Sequence, residues 1–354
     1  MKNFADRLIS AVQKKGNPIC VGLDPRLEQI PGSIVKKITD KKGMTKEAAA
    51  ECFFEFNKGI IDAVADIVPV VKPQIAFYEQ YGFQGVWAFE ETCKYAQSKG
   101  LIVIADAKRN DIGSTAEGYS KAFLGDVEMF GTKVKGLDAD ALTVTPYLGY
   151  DGVKPFIEDC KKHGKGIFVL VKTSNRSSGE LQDQDIFGEK VPKDFAENEH
   201  MRVYELMAHY VESWGADEIG ESGYSSVGAV VGATYPEQAG VLRKMMPQAI
   251  FLVPGYGAQG GGAADVKPCF NKDGLGAIVN SSRGIIFAYE DKEKYGADGY
   301  ADAAREACED MKEDLKGVGI CGWHDLGSMG KQVCRFLQNS AWFGYSRLSM
   351  LVFT

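Results

Sequence analysis

Histidine is scarce in this chain: four occur among 354 residues, at positions 163, 200, 209 and 324, and none is spaced with another histidine or a cysteine as zinc ligands would be. No protein-held zinc site is therefore expected. The eight cysteines are scattered, form no C-x-x-C pair, and in several cases sit inside apolar segments, the pattern of reduced, partly buried thiols in a cytoplasmic protein. Basic blocks are missing too. With 41 Lys and Arg against 48 Asp and Glu the net charge is -7, so nothing tracks a phosphate backbone and nucleic acid is not an expected partner. No apolar run approaches the ~18 to 20 residues of a membrane span. The opening Met1-Lys2-Asn3-Phe4-Ala5-Asp6-Arg7 alternates charge with apolar residues at helical spacing, so neither a membrane anchor nor a signal peptide is expected.

What is present is a repeating order of short β-rich runs, each ending in polar or small residues: 18–24, 67–74, 101–108, 141–147, 166–173, 226–234, 249–257 and 276–284. Segments of helical character lie between most of them, such as 46–65, 85–98 and 197–214. Strands alternating with helices argue for parallel βα units. Eight such units without a linker predict an α/β fold of the closed (β/α)8 TIM-barrel type rather than an open sheet. The expected organisation is one barrel domain over residues 1–316, with a polar, lid-like insertion at about 174–197 after the fifth strand and an appendage of unassigned role at 317–354.

Polar residues collect at the carboxyl ends of these runs, and in a barrel those ends surround one mouth, where active sites are kept. The densest stretch is Asp106-Ala107-Lys108-Arg109-Asn110-Asp111 after the apolar run Leu101-Ile102-Val103-Ile104-Ala105. Side chains alternate along a strand, so Asp106 and Lys108 are expected to point the same way. A carboxylate and an ammonium at the end of a buried strand must pair, either as a structural ion pair or as working groups of a site.

The seventh run leads into Gly255-Tyr256-Gly257-Ala258-Gln259-Gly260, a literal match to the G-x-G-x-x-G dinucleotide fingerprint. Its context is wrong for that use, since a Rossmann loop opens a regular helix in an early βαβ unit, whereas this one soon meets Pro268. Two uses remain: a flexible surface turn, or a cradle of backbone N–H groups around one phosphate. In the second case Arg283, ending the eighth run, would supply the bidentate cation, because the loops after strands 7 and 8 are the usual phosphate grip of such barrels.

Taken together, Asp106, Lys108, Asp111 and Thr115, the separate Lys72 in Val71-Lys72-Pro73-Gln74, the run Lys172-Thr173-Ser174-Asn175 and the later Ser178-Gly179-Glu180-Leu181-Gln182 resemble the orotidine 5'-phosphate decarboxylase family, in its longer, bacterial-type branch. The resemblance spans roughly residues 4–315 and touches all eight strand ends. It implies a carboxy-lyase that makes uridine 5'-phosphate and CO2 in the last step of de novo pyrimidine biosynthesis, without cofactor. Lys108 is similar to the family's proton donor to C6, Asp106 to the residue against the departing carboxylate, and Lys72 and Asp111 complete an alternating Lys-Asp-Lys-Asp array. The resemblance further implies a homodimer in which Asp111 and Thr115 serve the neighbouring subunit's site. It assigns Asp24 to a ribose hydroxyl, Ser174 to the pyrimidine edge, and Gln259, Gly257 and Arg283 to the phosphate. The chain departs from the family at Arg176, where proline is frequent, and at Ser281-Ser282, where shorter members carry Val-Gly.

Two other readings fit parts of the sequence. A related barrel that works on sugar phosphates through a Mg²⁺-stabilised enediolate shares the Asp-x-Lys-x-x-Asp strand, but Lys72 stands where a metal ligand would be wanted. A barrel that binds nucleotides without turning them over is allowed because fold does not fix function, and the complete array argues against it.

Overall fold

The computed structural model describes residues 2–187, 192, 200–257, 260–291 and 294–320. Eight strands form the expected barrel: β1 (Ile19–Leu23), β2 (Val70–Pro73), β3 (Ile102–Arg109), β4 (Ala141–Val144), β5 (Gly166–Lys172), β6 (Ser225–Val231), β7 (Ala249–Val253) and β8 (Ala277–Ser281). All neighbours pair in parallel, and β8 closes back onto β1. Every residue of β1, β2, β4, β6, β7 and β8 is buried, which is why these strands read as mainly apolar runs, with polar residues near their ends, and not as alternations.

An N-terminal helix α1 (Phe4–Lys15) comes before β1, with the Asn3 side chain accepting from the Ala5 N–H at one end and left-handed Gly16 ending the other. Its Phe4 ring lies edge-on to Phe168 of β5, 6.1 Å away. The outer layer comprises α2 (Gly32–Lys42), α3 (Lys46–Val64), α4 (Phe83–Ser98), α5 (Gly113–Phe123), α6 (Tyr150–His163), α7 (Val203–Gly215), α8 (Pro236–Met245) and α9 (Tyr300–Gly317). After β7 the helix shrinks to Ala263–Val266, continued by a 3₁₀ turn Lys267–Cys269. Pro268 thus leaves the glycine loop without a regular helix, as its sequence context requires. Aromatic side chains also pack between the helices of this layer. Phe56 of α3, fully buried, stacks on Phe287 and on Tyr300 of α9 at 5.8 and 5.0 Å, a packing whose loss on truncation to Ala costs about 3–5 kcal/mol.

Two antiparallel ribbons decorate the barrel. One pairs 126–129 with 132–135 between α5 and β4. The other pairs Asp185–Phe187 with His200–Arg202, so the segment after β5 has structure of its own: a 3₁₀ turn Arg176–Ser178, a short helix Gly179–Gln182, and then this ribbon. The lid expected over about 174–197 is thus described as far as Phe187, and its remainder, apart from residue 192, lies outside the described residues. A compact unit runs from Met1 to Cys321. The expected appendage falls largely outside the described residues, which end at Ile320.

Candidate active site

The carboxyl end of β3 places Asp106 almost fully buried at the barrel mouth, between two ammonium groups. Lys72 Nζ, from β2, donates to Asp106 Oδ2 at 2.7 Å, and Lys108 Nζ donates to Oδ1 at 2.6 Å. A third donor comes from β4. The Thr143 hydroxyl accepts the Lys108 backbone N–H at 2.9 Å and donates its own proton to Asp106 Oδ1 at 3.0 Å, so its orientation is fixed from both sides. Burial pushes the Asp106 carboxyl up, but Lys72 and then Lys108 outweigh burial and hold it well below the ordinary carboxylate range. Burial likewise opposes the charge on Lys72, and Asp106 followed by Asp24 raises its ammonium above the usual lysine range. Both groups are locked in their charged forms. Cys20, whose charge state is coupled to this cluster, has its thiol pushed up to about 12 by burial and stays protonated.

Lys108 does not reach Asp106 by simple alternation. Its φ is +46°, a left-handed conformation rare outside glycine. The pairing of β3 with β4 runs from Ala105 opposite Leu142 to Arg109 opposite Val144, so β3 bulges and carries two extra residues there. The expectation that Asp106 and Lys108 converge is met, through a kinked strand and not through the even period that suggested it.

Two cavities, of about 360 and 370 Å³, share the walls Lys72, Asp106 and Pro254. The first opens toward the ends of β1, β7 and β8 and is lined by Asp24, Gly255, Tyr256, Asn280, Ser282 and Arg283. The second is more apolar, with Leu170, Val230 and Leu252 on its walls and Thr173, Ser174 and Lys108 on its rim. The charged cluster therefore stands at the junction of a polar, cation-bearing compartment and an apolar one. That division fits a ligand with a flat ring at one end and an anion at the other.

Within the first compartment, Asp24 Oδ1 is buried with no hydrogen-bond partner. Burial raises the Asp24 carboxyl, with Lys72 pulling the other way. The glycine loop carries φ values of +103° at Gly255, +73° at Gly257 and +94° at Gly260, conformations that only glycine adopts cheaply. Arg283 is exposed at the mouth beside Gly255. Gln259, expected at the anion end, lies outside the described residues.

Asp111 and Thr115 line neither cavity. Asp111 Oδ1 accepts from the Ile112 N–H at 2.8 Å, and Thr115 is exposed on α5. Ile112 beside them is exposed, as are Leu148 and Tyr150 just before and at the start of α6. Position 152 of α6 abuts the Asp111 carbonyl so closely that a Cβ there would lie 2.9 Å from it. Sequence reasoning missed Thr143, Tyr256, Asn280 and Ser282. A polar residue in the middle of the buried run Ala141-Leu142-Thr143-Val144 is the signal that would have found the first.

Comparison with known proteins places this geometry. Residues 17–297 match the model of the orotidine 5'-phosphate decarboxylase / HUMPS family. The orotidine 5'-phosphate decarboxylase of Caldicellulosiruptor bescii is 46% identical over 290 residues, covering 82% of this chain and 91% of that one. The enzyme of the same name from Rhodopirellula baltica is 46% identical over 320 residues, covering 90% of this chain and 100% of its own. Among solved structures, Leishmania donovani OMP decarboxylase superposes with a TM-score of 0.65 at 28% identity, covering 90% of this chain and 100% of that one.

Proposed function

Since the chain belongs to the orotidine 5'-phosphate decarboxylase family, and is an enzyme that converts orotidine 5'-phosphate to uridine 5'-phosphate and CO2 in pyrimidine biosynthesis, we propose that it does so through Lys72, Asp106 and Lys108 of one subunit and Asp111 of its partner. The observation that carries this reading is the position of Asp106, pinned between two ammonium groups where the two cavities meet. The phosphate lies against Arg283 and Gly257, with Gln259 assigned to it by the family resemblance, the ribose reaches Asp24, and the pyrimidine enters the apolar compartment with its edge at Ser174.

In that pose the substrate carboxylate faces the Asp106 carboxylate. Two such charges about 4 Å apart repel by roughly 4 kcal/mol at an effective dielectric of about 20, a repulsion relieved as CO2 leaves. The electron pair of the broken C–C bond stays on C6. Lys108 is the cation positioned for that charge, and its Nζ gives the proton that completes the product. The Lys108 side chain is 45% exposed, so the neutral amine regains its proton from water. Lys72, almost sealed from solvent, keeps Asp106 ionised throughout. A Mg²⁺-dependent reaction on sugar phosphates fits less well, because the inner wall of the site presents the Lys72 ammonium to any dication.

The dimer follows from what one chain leaves unfinished. Asp111 and Thr115 line neither cavity of their own chain, and exposed Ile112, next to Asp111, is suited to burial against a second copy. The six described cysteines are free and buried, in keeping with a cytoplasmic site of action. The shared site is tested by mixing. Lys108→Ala and Asp111→Ala proteins are each close to inactive, but refolded together they recover about a quarter of wild-type activity, the share of intact sites in a random mixture of dimers. Heterodimers that form and remain inactive would overturn the cross-subunit assignment.

A further inference from the structure

Lys172 ends β5 two residues before Ser174, is completely buried, and has no place in the chemistry above. Its ammonium donates to Asp183 Oδ1 at 2.7 Å and lies 4.5 Å from the ring centroid of Tyr235 and 5.6 Å from that of Tyr204. Sealing a lysine inside a barrel wall is costly before its pairing is counted, and an aliphatic side chain would fill the space without that cost. The charge is best explained by what it holds.

Asp183 follows directly on the short helix Gly179–Gln182, and Gln182 makes a second attachment beside it. The Gln182 amide closes around Thr173, its Oε1 accepting the Thr173 N–H at 3.0 Å and its Nε2 donating to the Thr173 hydroxyl at 2.8 Å. The next barrel unit backs the same segment. Gln238 Nε2 donates to Asp183 Oδ1 at 3.2 Å, Thr234 Oγ1 donates to the Ser174 carbonyl at 3.3 Å, and the Tyr235 hydroxyl donates to the Asn175 carbonyl at 3.4 Å. Gly232 leaves room for this approach, since a Cβ there would lie 2.9 Å from Ser174 Cα. Residues 174–182 are thus stapled at both ends while Thr173, Ser174 and Asn175 line the apolar compartment.

We propose that Lys172 and Asp183 are positioning residues for the pyrimidine end of the substrate, the ion pair between buried Lys172 and half-buried Asp183 fixing the segment 174–182 so that Ser174 meets the base in one conformation. The inference rests on the reading of Ser174 as a base contact. Free of the pair, the segment samples other conformations and part of the binding energy goes to reordering it.

The test is a mutant cycle on the full-length enzyme. Lys172→Met keeps length and packing but removes the charge. Lys172→Met and Ser174→Ala each lower kcat/KM for orotidine 5'-phosphate about tenfold, mostly through KM. The double variant is within about threefold of the worse single one, because both changes remove the same contact. Lys172→Arg restores most of the loss. Should Lys172→Met fail to fold, Lys172→Met with Asp183→Asn removes both charges without stranding either and takes its place in the cycle. Effects that multiply in the double variant, or a folded Lys172→Met enzyme with wild-type kcat/KM, overturn the proposal. Ser174→Ala at wild-type kcat/KM overturns instead the base-contact reading. The staple is then judged by amide exchange across 175–187, which must rise in Lys172→Met, and an unchanged exchange pattern refutes it.

Discussion

Lys108→Met separates catalysis from folding more cleanly than any other change at this site. The substitution keeps the length of the side chain and deletes its proton and its charge. For the fold the loss is small. The ion pair with Asp106 is short, at 2.6 Å, but the lysine side chain is 45% exposed, and at such exposure an ion pair contributes at most about 1 kcal/mol. In a domain of this size that lowers Tm by about 2 °C. Asp106 keeps its hydrogen bonds from Lys72 and Thr143, so no buried carboxylate is left unpartnered. For the reaction the loss is large. A positioned general acid accounts for about 10²- to 10⁴-fold in rate, and here the same group is also the cation facing the developing carbanion. A fall in kcat of at least about 10³-fold, or about 4 kcal/mol in the barrier, is the expected result. The assay follows loss of the orotate ultraviolet absorbance in parallel with thermal unfolding by circular dichroism. A folded Lys108→Met enzyme with kcat within about tenfold of wild type would falsify the assignment of the proton donor. A large drop in Tm accompanying the lost activity would show that Lys108 acts on the structure instead.

Three further perturbations probe the rest of the site. Asp24→Asn lowers activity yet raises Tm at pH 7: burial lifts the folded carboxyl above its ordinary value, so the folded state holds that proton more tightly than the unfolded chain and loses stability as pH rises past the ordinary carboxylate range. The gain from Asp24→Asn therefore vanishes in acid below that range, and a variant less stable than wild type at pH 7 would contradict the linkage. Arg283→Ala raises KM for orotidine 5'-phosphate by about 10²-fold while leaving the slow turnover of unphosphorylated orotidine unchanged; equal losses on both substrates would remove Arg283 from the phosphate. Thr143→Val strips one donor from Asp106 and the acceptor from the Lys108 N–H, costing about 1–3 kcal/mol in kcat/KM, and an enzyme indifferent to the change would make that hydroxyl a bystander.

Most of the barrel was legible in the sequence because parallel strands covered on both faces are built mainly of apolar and small residues. The run Ser225-Ser226-Val227-Gly228-Ala229-Val230-Val231 is buried at all seven positions, and no helix or surface loop tolerates such a composition so close to Gly232 and Pro236. The ribbon over 126–135 was not legible. Its Val127, Met129 and Val134 alternate with charged residues as a half-buried strand would, but every one is exposed, with Phe130 at its tip 98% so. The alternation signals pairing without saying what, if anything, lies beneath. Thr143 was hidden for the opposite reason: a β-branched residue is at home in a buried strand, so its hydroxyl drew no notice until Asp106 appeared opposite.

The Asp106–Lys108 pair shows how a correct sequence inference can conceal its cause. On an even strand the two side chains would share a face but stand roughly 6.6 Å apart along it, and both would project from the barrel wall in parallel. That geometry offers a substrate two separate charges. The bulge in β3 and the left-handed backbone at Lys108 fold the ammonium back over its own carboxylate, and a non-glycine residue held there costs on the order of 1–3 kcal/mol. The cost is borne by β4, whose Thr143 takes the Lys108 N–H and whose chain continues to Thr145, with its N–H on the Arg109 carbonyl. The strain is therefore part of how the site is set before substrate arrives. Lys108 is turned toward Asp106 by its backbone and not by the flexible end of its side chain, which leaves Nζ on the rim of the apolar cavity, where, under the proposed mechanism, a cation would meet charge developing at C6 without first being gathered from solvent.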